Sequence, residues 1–273
     1  MEFLPRTFQL TSGVGPWREK DLWARELATW EDFERAAAQG VVMSARLDRD
    51  LLAAIDAARR ALSDRDLAAL AALLPAREHW RLYGHFPDAA AFFDIEADAE
   101  HSPTVVGVMD RAGLATFRRG HTLDQVPARL GASALWVSFN GGAYDVPALQ
   151  RHFAAFPVPV AHVDLRFLIR RARLQGGLKA VERELGLGRP PHLEGVRGLD
   201  AIRLWREWTF NRELTALRLL VEYNLHDAIN LRSVLEWTAW RLAEQYAWGV
   251  ERGPIFQRGD VLYDLSRLVL AQP

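Results

Sequence analysis

The chain contains no cysteine among its 273 residues, which excludes disulfide bonds, thiolate zinc sites and a cysteine nucleophile. It also has no apolar run that approaches the roughly 18 residues of a membrane span. The first eleven residues lack the basic-then-apolar pattern of a secretion signal. We therefore expect a cytoplasmic protein without a membrane partner. Apolar residues make up 49% of the sequence, which is enough to build a sizeable globular core.

Lysine is almost absent, since Lys20 and Lys179 leave arginine as 32 of the 34 basic residues. Arginine matches phosphate geometry, although a chain rich in Ala, Leu and Arg also follows from a GC-rich genome. The net charge of -1 and the pI near 6.7 argue against a uniformly basic coat for nucleic acid. Any such partner would be bound by local arginine patches, for example at residues 118–119 and 170–173.

A short apolar segment, residues 92–96, carries two carboxylates two positions apart. On an extended strand, Asp94 and Glu96 project to one side while Phe93 and Ile95 enter the core. Two carboxylates at this spacing repel each other unless a cation lies between them, and oxygen ligands of this kind suit Mg²⁺ or Mn²⁺. The alternative is a solvated strand end with two acids by chance.

The pattern around this segment predicts an α/β domain. Strands are predicted at residues 92–96, 104–110, 114–118, 134–139 and 160–168, and helices from residue 145, at 178–185 and from 200 to about 246, with a break near residue 211. The basic end of the segment 160–168 favours a helical start equally well. Strands that first form a meander and then alternate with helices predict a mixed sheet flanked by helices.

Two further carboxylates follow the predicted elements. Asp145 stands at the junction of a strand and a helix, where its other explanation is a helix cap. Tyr223 and Asp227 are four residues apart on the long helix and therefore share a face. The alternative for this helix is an ordinary amphipathic helix that packs through its leucines.

Taken together, these motifs resemble those of the DEDDy exonucleases, which have a ribonuclease-H-like fold. The motifs are Asp94-x-Glu96, then Phe139-Asn140 followed by Asp145, and finally Tyr223-x-x-x-Asp227. The resemblance covers residues 92 to about 246 and is greatest to bacterial predicted exonucleases of the YprB type. Flanking matches to that group are Trp80-Arg81-Leu82, His162-x-Asp164-Leu165, Gly177-Leu178-Lys179-x-Val181-Glu182 and Tyr223-Asn224.

The resemblance implies a 3′-to-5′ exonuclease that acts on single-stranded DNA or RNA ends with two Mg²⁺ or Mn²⁺ ions. The implied metal ligands are Asp94, Glu96, Asp145 and Asp227. Tyr223 would orient the attacking water, and Asn140 would contact the terminal nucleotide, with a role only in shaping its turn as the alternative. In such sites two ions about 3.5–4 Å apart generate hydroxide and stabilise both the attacking and the leaving oxygen.

Two neighbours of these motifs are kept out of the catalytic set. His226 precedes Asp227, but the histidine subclass of these enzymes has its histidine five residues before the last Asp, where this chain has Glu222. We therefore expect His226 on the helix surface. Asp164 is either an outer acid of the site or a structural one.

The N-terminal region resembles a helix-hairpin-helix element. Gly13 and Gly15 predict a tight turn that opens a helix at Pro16, and Thr29 is the predicted N-cap of the next helix. In that family the glycine turn offers backbone N–H groups to a phosphate, so the resemblance implies that Gly13 and Gly15 contact nucleic acid. The alternative is a plain helical packing module.

These patterns predict three regions, namely a small all-α N-terminal module at 1–84, a ribonuclease-H-like exonuclease domain at 85–249 and a C-terminal tail at 250–273. Two alternatives to an exonuclease stay open. One is a catalytically silent module that binds nucleic acid on the same fold, and the other is a structure-specific endonuclease. The choice between DNA and RNA depends on a 2′-hydroxyl contact that the sequence does not define.

Overall fold

A computed structural model describes residues 3–249 and 265–271, and the chain in it forms two compact units. Unit 1 contains residues 3–87 and 239–249, and unit 2 contains residues 88–238 and 265–271. The boundary near residue 84 stays a prediction. Most of the predicted tail, residues 250–264 and 272–273, lies outside the described residues.

The first part of unit 1 is helical throughout. Its α-helices are α1 (Pro16–Ala24), α2 (Trp30–Gln39), α3 (Ala45–Ser63) and α4 (Leu67–Leu73), with 3₁₀ helices at Leu4–Arg6 and Ala76–Gly84. Gly15 is the N-cap of α1 with Pro16 in its first position, and Thr29 caps α2 in a reciprocal pair with Asp32. The structure therefore confirms the all-helical N-terminal region and both predicted helix starts.

Unit 1 encloses a buried arginine. Arg81 is fully buried and donates from Nε to Oε2 of Glu78 at 2.8 Å. Its guanidinium lies 4.8 Å from the ring of Trp248 and 4.9 Å from that of Trp80. A buried charge is tolerated only when it is paired and hydrogen-bonded, so these contacts stabilise the position of Arg81 against residues from both parts of unit 1.

Unit 2 contains one mixed sheet of five strands. The strands are β1 (Ala90–Ala97), β2 (Pro103–Asp110), β3 (Gly113–Arg118), β4 (Leu135–Ser138) and β5 (Ala161–Asp164), in the order β3-β2-β1-β4-β5. β1, β2 and β3 are antiparallel neighbours, whereas β4 runs parallel to both β1 and β5. The structure confirms the predicted meander followed by strands that alternate with helices.

The helices of unit 2 flank this sheet. They are α5 (Val126–Gly131), α6 (Asp145–His152), α7 (Leu165–Arg171), α8 (Leu178–Leu185), α9 (Gly198–Asn211), α10 (Leu214–Gln245, whose last residues belong to unit 1) and α11 (Ser266–Leu270). Arg212 adopts a left-handed conformation that separates α9 from α10, at the predicted break. Among the described helices, none has the length and apolar character needed to cross a bilayer.

The apolar core lies on one face of β1. Phe93 is fully buried, and its ring meets that of Trp136 edge to face at a centroid distance of 5.5 Å. Ile95 belongs to the same core cluster. Because side chains alternate along a strand, Asp94 and Glu96 are directed away from this cluster. The core therefore sets the orientation of the two acids.

Candidate active site

Three carboxylates from two elements meet beside the central strand. Asp94 and Glu96 come from β1 and Asp227 comes from α10, and one oxygen of each lies within 4.8 Å of the other two. Glu96 and Asp227 are buried. Oxygen ligands at this separation suit a shared hard divalent cation.

A close approach of α10 to the sheet brings Asp227 to the strand. Gly107 of β2 pairs with Asp94 across the ladder, and a Cβ at Gly107 would lie 2.7 Å from Oδ1 of Asn224. Asn224 in turn donates from Nδ2 to Oδ2 of Asp94 at 2.9 Å and to its backbone oxygen at 3.1 Å. Because Gly107 has no side chain, Asn224 can approach and hydrogen-bond to Asp94. Asn224 lies about one helical turn before Asp227, so this bond holds Asp94 close to Asp227.

Asp145, at the start of α6, lies outside this group of three carboxylates, and its role as a metal ligand stays a prediction. It is the first residue of that helix, and Tyr144 occupies the N-cap position, so Asp145 is not the cap that the alternative explanation required. Its side chain is buried, and Oδ2 has no hydrogen-bond partner among the described residues. Burial, followed by the charges of Asp164 and Asp227, raises the pKa of Asp145 to about 8.

The loop before α6 is held by Asp164, at the end of β5. Asp164 accepts hydrogen bonds from the backbone N–H groups of Asn140 at 2.8 Å and Gly142 at 3.2 Å, and it caps α7 through Arg166. Because Asp164 caps α7, the strand predicted at 160–168 ends at Asp164. The basic segment that follows is helical, as the alternative prediction had it. Asp164 therefore positions the loop that leads into α6 and Asp145.

Asn140 has a left-handed backbone with φ 66°, and its Oδ1 accepts a 2.6 Å hydrogen bond from Arg166. A Cβ on the next residue, Gly141, would lie 2.2 Å from Oγ of Ser138 and 3.0 Å from Oδ2 of Asp145. The loop therefore fits only with glycine at residue 141. The contact of Asn140 with a terminal nucleotide stays a prediction.

The electrostatics of the cluster fit a bound cation. Burial raises the pKa of Asp94 well above its ordinary value, and the charges of Asp227, Glu96 and Asp145 raise it further. Burial likewise raises the pKa of Glu96, again with Asp227 and Asp145 contributing. Crowded carboxylates with raised pKa values are stabilised in their ionised form by a divalent cation. This donor set of carboxylate oxygens is the type that Mg²⁺ and Mn²⁺ prefer.

Tyr223 lies on the face of α10 that carries Asp227. Its buried ring is flanked by two cationic groups, with Nζ of Lys179 4.2 Å and the guanidinium of Arg189 5.4 Å from the ring centroid. Burial, followed by the charges of Asp227 and Glu96, raises the pKa of Tyr223 above its ordinary value. The phenol is therefore protonated at neutral pH and available as a hydrogen-bond donor.

Sequence reasoning did not identify Arg189. Its guanidinium bonds to Asp227 and forms two hydrogen bonds to Glu182, at 2.6 and 2.8 Å. Burial lowers the pKa of Arg189, but Asp227 and Glu182 together raise it above its ordinary value. Arg189 stands in a Gly- and Pro-rich loop without periodicity. The available signal was Glu182, an acid at a core-facing position of a predicted helix that needs a buried counter-charge.

The expectation that His226 lies on the helix surface was wrong. His226 is 1% exposed, and its neighbours Leu225 and Ala228 are fully buried. This part of α10 is enclosed around its circumference, so the polar residues among its leucines do not indicate a solvent-facing side.

In unit 1, the glycine turn has a packing role. Gly13 has φ 91°, and a Cβ there would lie 2.9 Å from Cδ2 of Leu47, whereas a Cβ at Gly15 would meet nothing within 4 Å. Within the described residues the turn is preceded only by the 3₁₀ helix Leu4–Arg6. Packing against Leu47 accounts for Gly13, and the phosphate contact of both glycines stays a prediction.

Comparison with known proteins agrees with this geometry. The family model of the RNase_H superfamily matches residues 91–239, a stretch that includes all four carboxylates and Tyr223. The chain belongs to the RNase_H superfamily. No curated protein matches it. The family and the buried acidic cluster define a nuclease-type domain with a nucleic-acid substrate and a site suited to divalent metal.

Proposed function

We propose that this protein is a two-metal 3′-to-5′ exonuclease of the DEDDy type, which hydrolyses single-stranded DNA or RNA from its end. The observation that supports this best is the position of Tyr223. It stands one helical turn before Asp227, and Asp227 shares a cluster with Asp94 and Glu96. A nuclease site of the tyrosine subclass requires a phenol beside its last acid, and this chain has one there.

The four carboxylates would hold the two cations, and neighbouring side chains would hold these carboxylates in position. Asn224 fixes one oxygen of Asp94 by its hydrogen bond, and Arg189 fixes Asp227. The protonated phenol of Tyr223 would orient the attacking water by a hydrogen bond. When bound, the cations would lower the pKa of water and neutralise charge that develops on the phosphate.

The proposed reaction is hydrolysis of the last phosphodiester. A bond forms between the water oxygen and phosphorus, and the bond between phosphorus and the 3′ oxygen of the preceding nucleotide breaks. The 3′ oxygen takes a proton and becomes the new end of the strand, and a 5′-mononucleotide is released. Asn140 would contact the terminal nucleotide, because its loop adjoins Asp145 through Gly141.

The proposal extends to subtype and to unit 1. We infer a relationship to bacterial predicted exonucleases of the YprB type from the flanking motifs, of which Asn224 and Glu182 make contacts inside the site. We also infer that Gly13 and Gly15 contact a nucleic-acid phosphate through their backbone. Substitution of Gly15, where a side chain meets open space, would test that contact without disturbing the packing at Gly13.

The decisive experiment follows 5′-labelled single-stranded DNA and RNA with Mg²⁺, with Mn²⁺ and with EDTA. It compares the parent with Asp94→Asn, and with Asp124→Asn as the control on an exposed acid outside the site. We expect a metal-dependent ladder of products shortened from the 3′ end for the parent and the control, and none for Asp94→Asn. A blocking 3′-phosphate should delay the ladder.

The same gel separates the alternatives. A few discrete internal cuts that persist with a blocked 3′ end would indicate a structure-specific endonuclease. An unchanged band together with retained binding would indicate a catalytically silent module and would contradict the proposed activity.

A further inference from the structure

A basic groove opens beside the acidic cluster in unit 2. It has a volume of about 1050 Å³, and its cationic lining consists of Arg166, Arg170 and Arg173. Among the described residues that line it there is no acidic side chain. Arg166 and Arg170 are four residues apart on α7 and therefore share a face. All three arginines are exposed, so the groove presents three positive charges to solvent.

Some arginines of unit 2 have an acidic partner, whereas the three groove arginines have none among the described residues. Arg119 pairs with Asp98 at 2.6 Å, and Arg129 pairs with Asp110 at 2.7 Å. By contrast, across residues 3–249 and 265–271 none of the three groove arginines forms an ion pair, and Arg166 instead donates to the neutral Asn140. A GC-rich genome explains many arginines, but this groove brings together in one place three arginines without an acidic partner in the described part of the chain.

The groove adjoins the candidate metal ligands. Asn140 lines it, and a Cβ on the next residue, Gly141, would lie 3.0 Å from Oδ2 of Asp145. At its other side the groove is lined by Gly176 and Gly177, and Gly177 is the N-cap of α8 without a side-chain cap. The positive end of the α8 dipole thus adds to the arginine charges.

We propose that this groove binds the phosphodiester backbone of a single strand upstream of the nucleotide that is cleaved. The inference rests on the proposed function for the direction of the strand. Arginine forks match phosphate oxygens, and a groove that follows the backbone is the usual way to hold single strands without reading their sequence. Arg166, Arg170 and Arg173 contact successive phosphates, and Asn140 lies between them and the cleaved end.

The test measures binding of 20-nucleotide oligo-dT and oligo-U by fluorescence anisotropy over a range of salt concentrations. The full chain carries Asp94→Asn and is studied with Mg²⁺, so that the probes stay intact. Replacing the three groove arginines by glutamine should reduce the slope of log K against log salt by about 2 and the affinity at 0.1 M salt by about a hundredfold.

A matched control replaces three exposed arginines elsewhere in unit 2, Arg111, Arg151 and Arg206, so that the net charge changes equally. We expect this control to keep most of the slope. Replacing the groove arginines by lysine should also keep most of it, because the charge remains. Equal losses for the groove and control triples would overturn the proposal, and so would an unchanged slope in the groove triple.

Activity separates this proposal from the exonuclease assignment. In the chain with Asp94 intact, the groove triple should raise KM for a 20-mer but leave KM for the dinucleotide TpT unchanged, because TpT carries no phosphate upstream of the scissile one. If the parent protein cleaves the 20-mer and the dinucleotide with the same KM, the groove proposal is contradicted and the proposed nuclease activity is not. A lost salt slope in a protein that cleaves nothing would support the groove and contradict the exonuclease.

Discussion

The ionisation of Asp145, which its proposed role as a metal ligand requires, lowers the stability of the metal-free fold. The carboxyl of Asp145 is buried without a hydrogen-bond partner for Oδ2 among the described residues, and its pKa is raised to about 8. In the unfolded chain the same group loses its proton near pH 4. Between these two values the unfolded state is ionised and the metal-free folded state is not. The stability of the metal-free protein must therefore fall as the pH rises through this range.

Asp145→Asn removes the part of that pH dependence that comes from Asp145, whereas Asp94 and Glu96, whose pKa values are also raised, keep theirs. In EDTA, the free energy of unfolding of the variant should exceed that of the parent by an amount that grows from pH 4 toward pH 8. Urea unfolding at pH 5, 6.5 and 8 measures the difference, with Asp124→Asn as a control. A difference that does not change with pH would contradict the role assigned to Asp145.

Arg189→Gln removes the cation that pairs with Asp227 and Glu182. Loss of one partner from a buried pair costs about 3–5 kcal/mol, so the melting temperature in EDTA should fall strongly. Saturating Mn²⁺ should reduce this loss, because a bound cation replaces the charge that faces Asp227. Arg203→Gln, in an exposed pair with Glu207, is the control and should cost under about 1 kcal/mol. Equal losses with and without Mn²⁺ would contradict this account.

Tyr223→Phe keeps the ring beside Lys179 and removes only the hydroxyl. We expect single-turnover cleavage to slow about 10²-fold, the typical effect of losing one positioned donor, with unchanged affinity for Mn²⁺ by calorimetry. Tyr246→Phe in unit 1 is the control. An unchanged rate would show that the phenol does not act on the reacting water.

At the residue scale, the sequence predicted the contacts of the site where the period of a strand or helix gives the direction of a side chain. The spacing of Asp94 and Glu96 placed them on one side of a strand, and the structure brings them to Asp227. Arg189 could not be predicted in this way, because a loop has no period from which a direction follows. For Asp145 the sequence left a helix cap as an alternative, and the structure gives the cap position to Tyr144.

At the scale of elements, one contact between α10 and β2 determines the site. A Cβ on Gly107 would lie 2.7 Å from Oδ1 and 3.3 Å from the backbone oxygen of Asn224. The backbone of Asn224 can give way only if α10 moves as a whole. Gly107→Ala should therefore destabilise the protein by about 1–3 kcal/mol. It should also weaken Mn²⁺ binding, because α10 carries Asp227.

Denaturant unfolding and calorimetry measure the two effects of Gly107→Ala. Gly195→Ala is the matched control, since a Cβ there meets nothing within 4 Å. Loss of stability with unchanged metal affinity would show that the helix position does not control the site.

The order of strands and helices was predictable because turns, caps and hydrophobic alternation are local. The least certain segment was residues 160–168, where a four-residue strand passes directly into α7. A strand this short gives almost no alternation to detect. Its end depends on the hydrogen bonds that Asp164 accepts from the loop at Asn140, which lies 24 residues earlier in the chain.

At the scale of the whole molecule, unit 1 depends on Arg81. Arg81→Gln removes the fully buried partner of Glu78, which is 1% exposed, and leaves it with the longer ion pair to the exposed Arg77 at 3.9 Å. We expect a loss of about 3–5 kcal/mol and an early unfolding step in tryptophan fluorescence, since Trp80 and Trp248 flank the guanidinium. Arg35→Gln on the exposed face of α2 should have little effect. A single unshifted transition would contradict the role of Arg81.

Unit 1 is built from two separate segments of the chain, and this affects how it can fold during translation. Residues 3–87 leave the ribosome before residues 88–238, but Trp248, which lies against Arg81, is made only after residues 88–238 of unit 2. Until then the nascent helices contain Arg81 with the ring of Trp80 beside it but without the ring of Trp248. Completion of unit 1 thus waits for the acidic cluster of unit 2 to be synthesised, and translation that stops within residues 88–238 leaves unit 1 without Trp248.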